Sequence, residues 1–367
     1  MGSSPRTLTT SERAWLAVRA YLRSHRPTLD AAAAASYPDA NRVAGTPLLT
    51  RLEWIPPSPL PLDDVTLEWS ADDSAAAAPP SSSVLPVRTS DQPYETYAEA
   101  VGEIAAPAVF ENRPTYRLLH AELASDTPVL RFGTGRYFDS VNVGEAAAHE
   151  FTAAHLGHTV ADGIRAAIID PCDPRQRPTN LAISTLTIRR DAAADSRSFL
   201  LHWRDPRKVG HAGGMYQVVP VGIFQPSGYA GWNVDNDFSL WRNMVREFAE
   251  ELCGASEDHG SDLAPIDYEA WEFAARLEQA RRDGALTVYC LGLGVDPLSF
   301  ATDLLTAAVI DAATFDELFT TATVNNAEGR ILELQPFTHE QVHRIIDEHP
   351  MQAAGIAALR LAITQLG

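Results

Sequence analysis

Apolar and polar positions recur along this chain with two periods, one helical and one of strands, and the two alternate. Trp15, Val18 and Leu22 lie at intervals of three and four, so residues 11–37 open on a helix. Ser11 can cap it, and Pro27 ends it or begins another. The proline-rich run 47–69 reads as strands and extended loops, and the Ala/Pro/Ser run 70–83 as low-complexity linker. Helical material returns at 94–110 and 144–156, with strands at 114–124 and 128–140 between them. Beyond residue 173 strands are predicted over 181–190, 198–204, 215–226, 287–295 and 304–310, with Pro220 implying an edge or a bulge. A helix lies between the third and fourth of these strands, and helices at 338–346 and 351–364 close the chain.

This order predicts an α/β (α+β) protein without the βαβ repeat of a doubly wound fold. The expected units are a helix and extended segment over 1–69, a linker over 70–93, an accessory α+β region over 94–173, and a mixed β-sheet flanked by helices over 174–367.

Charge narrows the partners. The chain carries 48 acidic against 29 basic residues, net −19, with no dense block of Lys and Arg. Nucleic acid is therefore an unfavoured partner, whereas an anionic small molecule stays compatible if a bound cation reverses the local field. Three cysteines supply no disulfide framework and no CxxC pair. No apolar run is long enough to span a membrane, and the expected location is cytoplasmic. The first half is left free to bind a partner, cover a pocket or form a homodimer.

The stretch REFAEELCG, residues 246–254, concentrates the candidate chemistry. Asp237 or Ser239 can cap its helix, and Gly254 can stop it. Trp241, Met244, Val245, Phe248 and Leu252 fall on one face. Glu247, Glu250 and Glu251 fall on another, at i, i+3 and i+4. Like charges at these spacings repel, and they sit toward the helix end that disfavours anions. Arg246, four residues before Glu250, offsets part of that charge. A hard divalent cation resolves the rest; a solvated acidic face is the other reading, and spacing alone leaves both open.

REFAEELCG resembles the core of the Nudix hydrolase box, REUxEExGU, where U is a bulky aliphatic residue. Arg246, Glu247, Phe248, Glu250 and Glu251 match in order, and Gly254 comes one position late, after Cys253. VVPVGIFQPSG before the helix, with Pro220 and Gly222, is similar to the family's approach to its box, and the resemblance covers about residues 180–365. It implies a Nudix-like sheet and hydrolysis of a nucleoside diphosphate-linked or related small molecule. It also implies Mg²⁺ or Mn²⁺ held by Glu247, Glu250 and Glu251, with Arg246 orienting a glutamate. The noncatalytic alternative is a ligand-binding or regulatory module. The chain departs from the box before Arg246: Phe238 and Trp232 stand where a glutamate and a glycine belong, and GYAGWNVDND is an insertion. Asp235 and Asp237 are the carboxylates there that can substitute.

Other candidates rest on weaker signals. Glu269 and Glu333 are possible general bases. His211 can meet phosphate, Tyr229 and Trp232 can stack on a base, and Arg131 with Arg136 can clamp an anion. Each has a plainer reading as turn, packing or surface. His149, His155 and His158 lack the spacing of an HExxH metal site.

Overall fold

The computed structural model describes residues 7–71, 82–107, 109–160, 163–205, 213–319 and 329–367. Within them the chain forms a mixed α/β protein built on a seven-stranded sheet and two three-stranded sheets. The strands of the main sheet, in chain order, are β1 (Leu60–Pro61), β2 (Leu181–Asp191), β3 (Ser196–Phe199), β4 (Val221–Ile223), β5 (Leu286–Val295), β6 (Thr302–Asp311) and β7 (Gln335–Pro336). Their spatial order is β1-β5-β6-β2-β3-β7, with β4 beside β2 as well. β6 and β2 are parallel, from Thr302 opposite Leu181 to Asp311 opposite Arg190, and the other pairings are antiparallel.

Both faces of this sheet are covered, and the side-chain period of two sorts its residues between them. Ile183, Val288, Leu304 and Ala308 share a core with Phe248 and Leu252 of the helix Leu240–Cys253. Leu186, Ile188, Leu291, Leu305 and Ala307 share another with the C-terminal helix Ala353–Leu366. Two-sided burial explains the nearly continuous apolar run of β6. The helices Glu272–Arg282 and Ala312–Leu318, which periodicity did not expose, pack near β5 and β6.

Two predicted strands are interrupted. Residues 198–204 divide after Phe199: β3 stays in the main sheet, while His202–Arg204 pairs with Tyr216–Gln217 and Gly329–Ile331 in a separate one. Residues 215–226 divide around the cis Val219–Pro220 bond, and β4 is an edge strand, as the proline implied.

The first half is tied to the second. β1 pairs with β5, Leu49 bridges Val295 and Arg117 bridges Asn180, so backbone pairing crosses residue 173 at several points. One buried cluster runs from Trp15 to Ile331. The first helix, Thr10–Ser24, is capped by Thr9 rather than Ser11, in a capping box with Glu12. Ser11 instead accepts the amide hydrogen of Val87 at 2.9 Å, and Pro27 lies in the first turn of a second helix, Arg26–Ala34. Of the expected linker, 72–81 lie outside the described residues. The remaining sheet orders Thr66–Trp69, Val129–Arg136 and Pro114–Glu122. It is followed by a short π-helix, Val141–Glu145, which faces the glutamate helix across a cavity. Among the described residues no helix is long and apolar enough to cross a membrane.

Candidate functional site

The glutamate helix forms as its sequence dictates. Ser239 caps it by accepting the Arg242 amide, and Gly254 ends it in the left-handed conformation at φ 70°. The extra residue, Cys253, adds to the last turn without changing how the helix stops. Met244, Val245, Phe248 and Leu252 are buried, at about 1.5–3 kcal/mol for each such side chain. Trp241 is half-buried and donates to Glu278 at 2.9 Å.

The opposite face is only partly exposed. Glu247, Glu250 and Glu251 line one cavity of about 670 Å³ together with Arg246. Glu251 is buried. Its Oε1 accepts the Val221 amide hydrogen at 2.7 Å, and its Oε2 lies 3.2 Å from Nδ1 of buried His202. Glu250 Oε1 is 3.2 Å from Nε2 of His259. Glu247 lies over Gly222, where an added Cβ would stand 1.8 Å from its Oε1. That close approach is a concrete reason for glycine at 222. Glu250 and Glu251 thus each have a polar partner of their own.

Among the described residues no three His, Cys, Asp or Glu side chains converge so that they could hold a metal ion. Glu247, Glu250 and Glu251 share a wall but do not form a ready three-carboxylate cage. Their oxygen chemistry suits a hard cation such as Mg²⁺ or Mn²⁺ bound through one or two carboxylates, with the other positions left to water and ligand phosphates.

Arg246 is anchored beside these glutamates, with Glu247 as a nearby favourable charge. It is buried and donates to the Tyr268 hydroxyl at 2.6 Å, the Gln225 carbonyl at 2.6 Å and Asn243 Oδ1 at 3.0 Å, and lies 3.5 Å from Asp237 Oδ1. Among the described residues its hydrogen bonds go to the loop before the helix, to Asn243 one turn earlier and to Tyr268. Of the two carboxylates in the insertion, Asp235 is exposed and Asp237 is buried away from the cavity lining. Fully buried Asp237 accepts from the Ser227 amide at 2.8 Å, the Ser227 hydroxyl at 2.6 Å and Tyr268 at 2.8 Å. Arg246 and Asp237 together pin the insertion against the helix.

The rest of the lining comes from distant parts of the chain. Arg113, Arg177 and Arg204 contribute to it with Asn180, Tyr137 and Asp303. Arg177 is buried, donates to the Pro171 carbonyl and the Thr302 hydroxyl, both at 2.9 Å, and burial lowers its pKa to about 10. Arg113 lies near Glu111 and Glu257 at 3.3 and 3.7 Å. The cavity therefore brings cationic side chains and the glutamates into one lining, which suits an anionic ligand bridged by a cation. No spacing rule links residues so far apart, and the sequence reading missed them.

Several sequence candidates stand elsewhere. Glu269 and Glu333 are exposed and do not line the cavity. Tyr229 donates to Glu111 at 2.9 Å and the Trp232 indole to the Ser261 carbonyl at 2.9 Å; neither lines the cavity. Arg131 pairs with Glu68, and Arg136 donates to the Asn112 carbonyl at 3.4 Å. His149 is buried beside Trp15 and Tyr97, and burial lowers its pKa to about 3, which marks a neutral packing residue. His211 lies outside the described residues. No protein-family model matches this chain, and no curated protein matches it.

Proposed function

We propose that this protein is a Nudix-like, divalent-metal-dependent hydrolase of a nucleoside diphosphate-linked or related diphosphate molecule. The observation that carries the reading is the one cavity lining that brings Glu247, Glu250 and Glu251 together with Arg113, Arg177 and Arg204. Mg²⁺ or Mn²⁺, when bound, supplies charge neutralisation and lowers the pKa of a water. The chain's own part is orientation: the Val221 amide and His202 hold Glu251, His259 holds Glu250, and Gly222 leaves room for Glu247. The arginines of the lining would receive the phosphate oxygens.

The test is release of phosphate or mononucleotide from a panel of nucleoside diphosphate compounds with Mg²⁺ or Mn²⁺. Glu251→Gln should reduce turnover by at least about 100-fold, the scale of a lost catalytic carboxylate, and leave folding intact. Turnover unchanged in that variant refutes the assignment. A second reading, a noncatalytic nucleotide-binding module, is favoured by the separate partners that Glu250 and Glu251 already have. Calorimetric binding of panel compounds without hydrolysis would select it.

A further inference from the structure

Asp303 is a carboxyl group on the cavity wall that the glutamate motif does not include. It stands near the start of β6, opposite Ala182 of β2, and is buried. Ser184 donates to its Oδ1 at 2.8 Å. Among the described residues that is its only hydrogen bond, and no ion pair reaches it. The nearby guanidinium of Arg26 is engaged by Asp30 at 2.7 Å and by Asp296 at 3.2 Å. Asp296 is in turn satisfied by the amides of Leu298 and Ser299 and by the Ser299 hydroxyl. Asp303 thus borders the large cavity on one side and this charged cluster on the other, with its Oδ2 uncommitted.

We propose that Asp303 is the general base of the hydrolysis, a catalytic residue distinct from the glutamate helix; the inference rests on the hydrolase reading. In the step, ionised Asp303 takes a proton from water as the water oxygen bonds to phosphorus. The bond from that phosphorus to the bridging oxygen breaks, its electron pair leaves with the departing phosphate, and the proton passes from Asp303 to that phosphate. One water is consumed and two phosphate products form.

The surroundings suit a base working near neutral pH. Burial raises the carboxyl, the Ser184 hydrogen bond lowers it, Asp296 raises it and Arg26 lowers it, and the balance stands at about 6. Arg26 and Asp30 face it from the helix Arg26–Ala34 and Asp296 from the turn after β5; Arg177, Arg204 and Glu145 line the cavity side.

The experiment is the pH profile of kcat/KM with the panel compound turned over best, for wild type, Asp303→Asn, Ser184→Ala and Glu251→Gln. Wild type should lose activity as pH falls through about 6. Asp303→Asn should lose about 100-fold or more. Ser184→Ala removes a bond that favours the ionised form, so its acidic limb should move to higher pH, a shift that a merely structural role would not produce. Asp303→Asn within about threefold of wild type, or an unmoved limb in Ser184→Ala, overturns the inference. The latter result decides the matter if Asp303→Asn does not fold. If Glu251→Gln abolishes turnover while both other variants behave as wild type, only the role of Asp303 is lost. Absence of turnover in wild type overturns the hydrolase reading and this inference with it.

Discussion

Replacing Arg246 by Met tests whether this arginine is an anchor of the loop or an adjustable partner of a glutamate. The side chain is buried, makes three hydrogen bonds and lies 3.5 Å from the fully buried Asp237 carboxylate. Methionine preserves much of the apolar stem but removes the cation. Asp237 keeps its bonds from Ser227 and Tyr268, yet it is left as a buried charge without its counterion. Removing one member of a buried pair costs about 3–5 kcal/mol. With an unfolding entropy of about 2.1 cal/mol/K per residue, a 367-residue cooperative unit would lose about 4–6 °C in Tm. An exposed arginine adjusting a surface glutamate would cost less than about 1 kcal/mol. Urea unfolding at neutral pH, followed by tryptophan fluorescence, reads the difference, and Arg246→Met with Asp237→Asn completes a double-mutant cycle. Coupling of about 2 kcal/mol or more is expected for a desolvated pair. A stability loss below about 1 kcal/mol, or additive single changes, would refute the anchor.

Gly222→Ala should displace the Glu247 carboxylate while sparing the fold, because the atom met is the far end of a flexible side chain. Turnover should fall with a stability change under about 1 kcal/mol; unaltered turnover contradicts the close packing. Phe248→Ala opens a hole at a fully buried position and should cost about 3–5 kcal/mol in urea unfolding. The folded-state pKa of Asp303, about 6, is raised above its ordinary value of 3.8, so the folded protein holds this proton more tightly than the unfolded chain. Its contribution favours folding below about pH 4 and is lost as pH rises through about 6. Asp303→Asn should therefore gain stability relative to wild type between pH 4 and 7, read as diverging urea midpoints; parallel midpoints would contradict the burial argument.

Local rules carried the reading of the elements a long way. The helix at REFAEELCG, its Ser239 cap, its Gly254 stop and its apolar face all follow from nearest-neighbour geometry, and they are found. The principal strands after residue 180 were legible because alternating or continuous apolar runs report burial. The division of 198–204 between two sheets was not legible, since neither half of that run carries a signal for which partner it will pair with. The first cap was placed at Ser11 instead of Thr9 because three successive hydroxyl residues, Thr9, Thr10 and Ser11, compete, and the capping box with Glu12 decides.

The site divides in the same way. Helical spacing alone brings Glu247, Glu250 and Glu251 to one face, because 100° per residue is a local property. Whether that face meets solvent or a cavity depends on what packs opposite. Arg204 and Asp303 arrive there through strand pairing, and Arg113 and Arg177 from the segments leading into strands distant in sequence. Likewise, sequence named both Asp235 and Asp237 in the insertion, but only the folded loop buries Asp237 against Arg246 and leaves Asp235 exposed. The sequence by itself determined the periodicities, the Gly254 stop and the charge of the helix. The tertiary structure decided which charges share a space, because desolvation and ion pairing depend on distances that sequence separation does not encode.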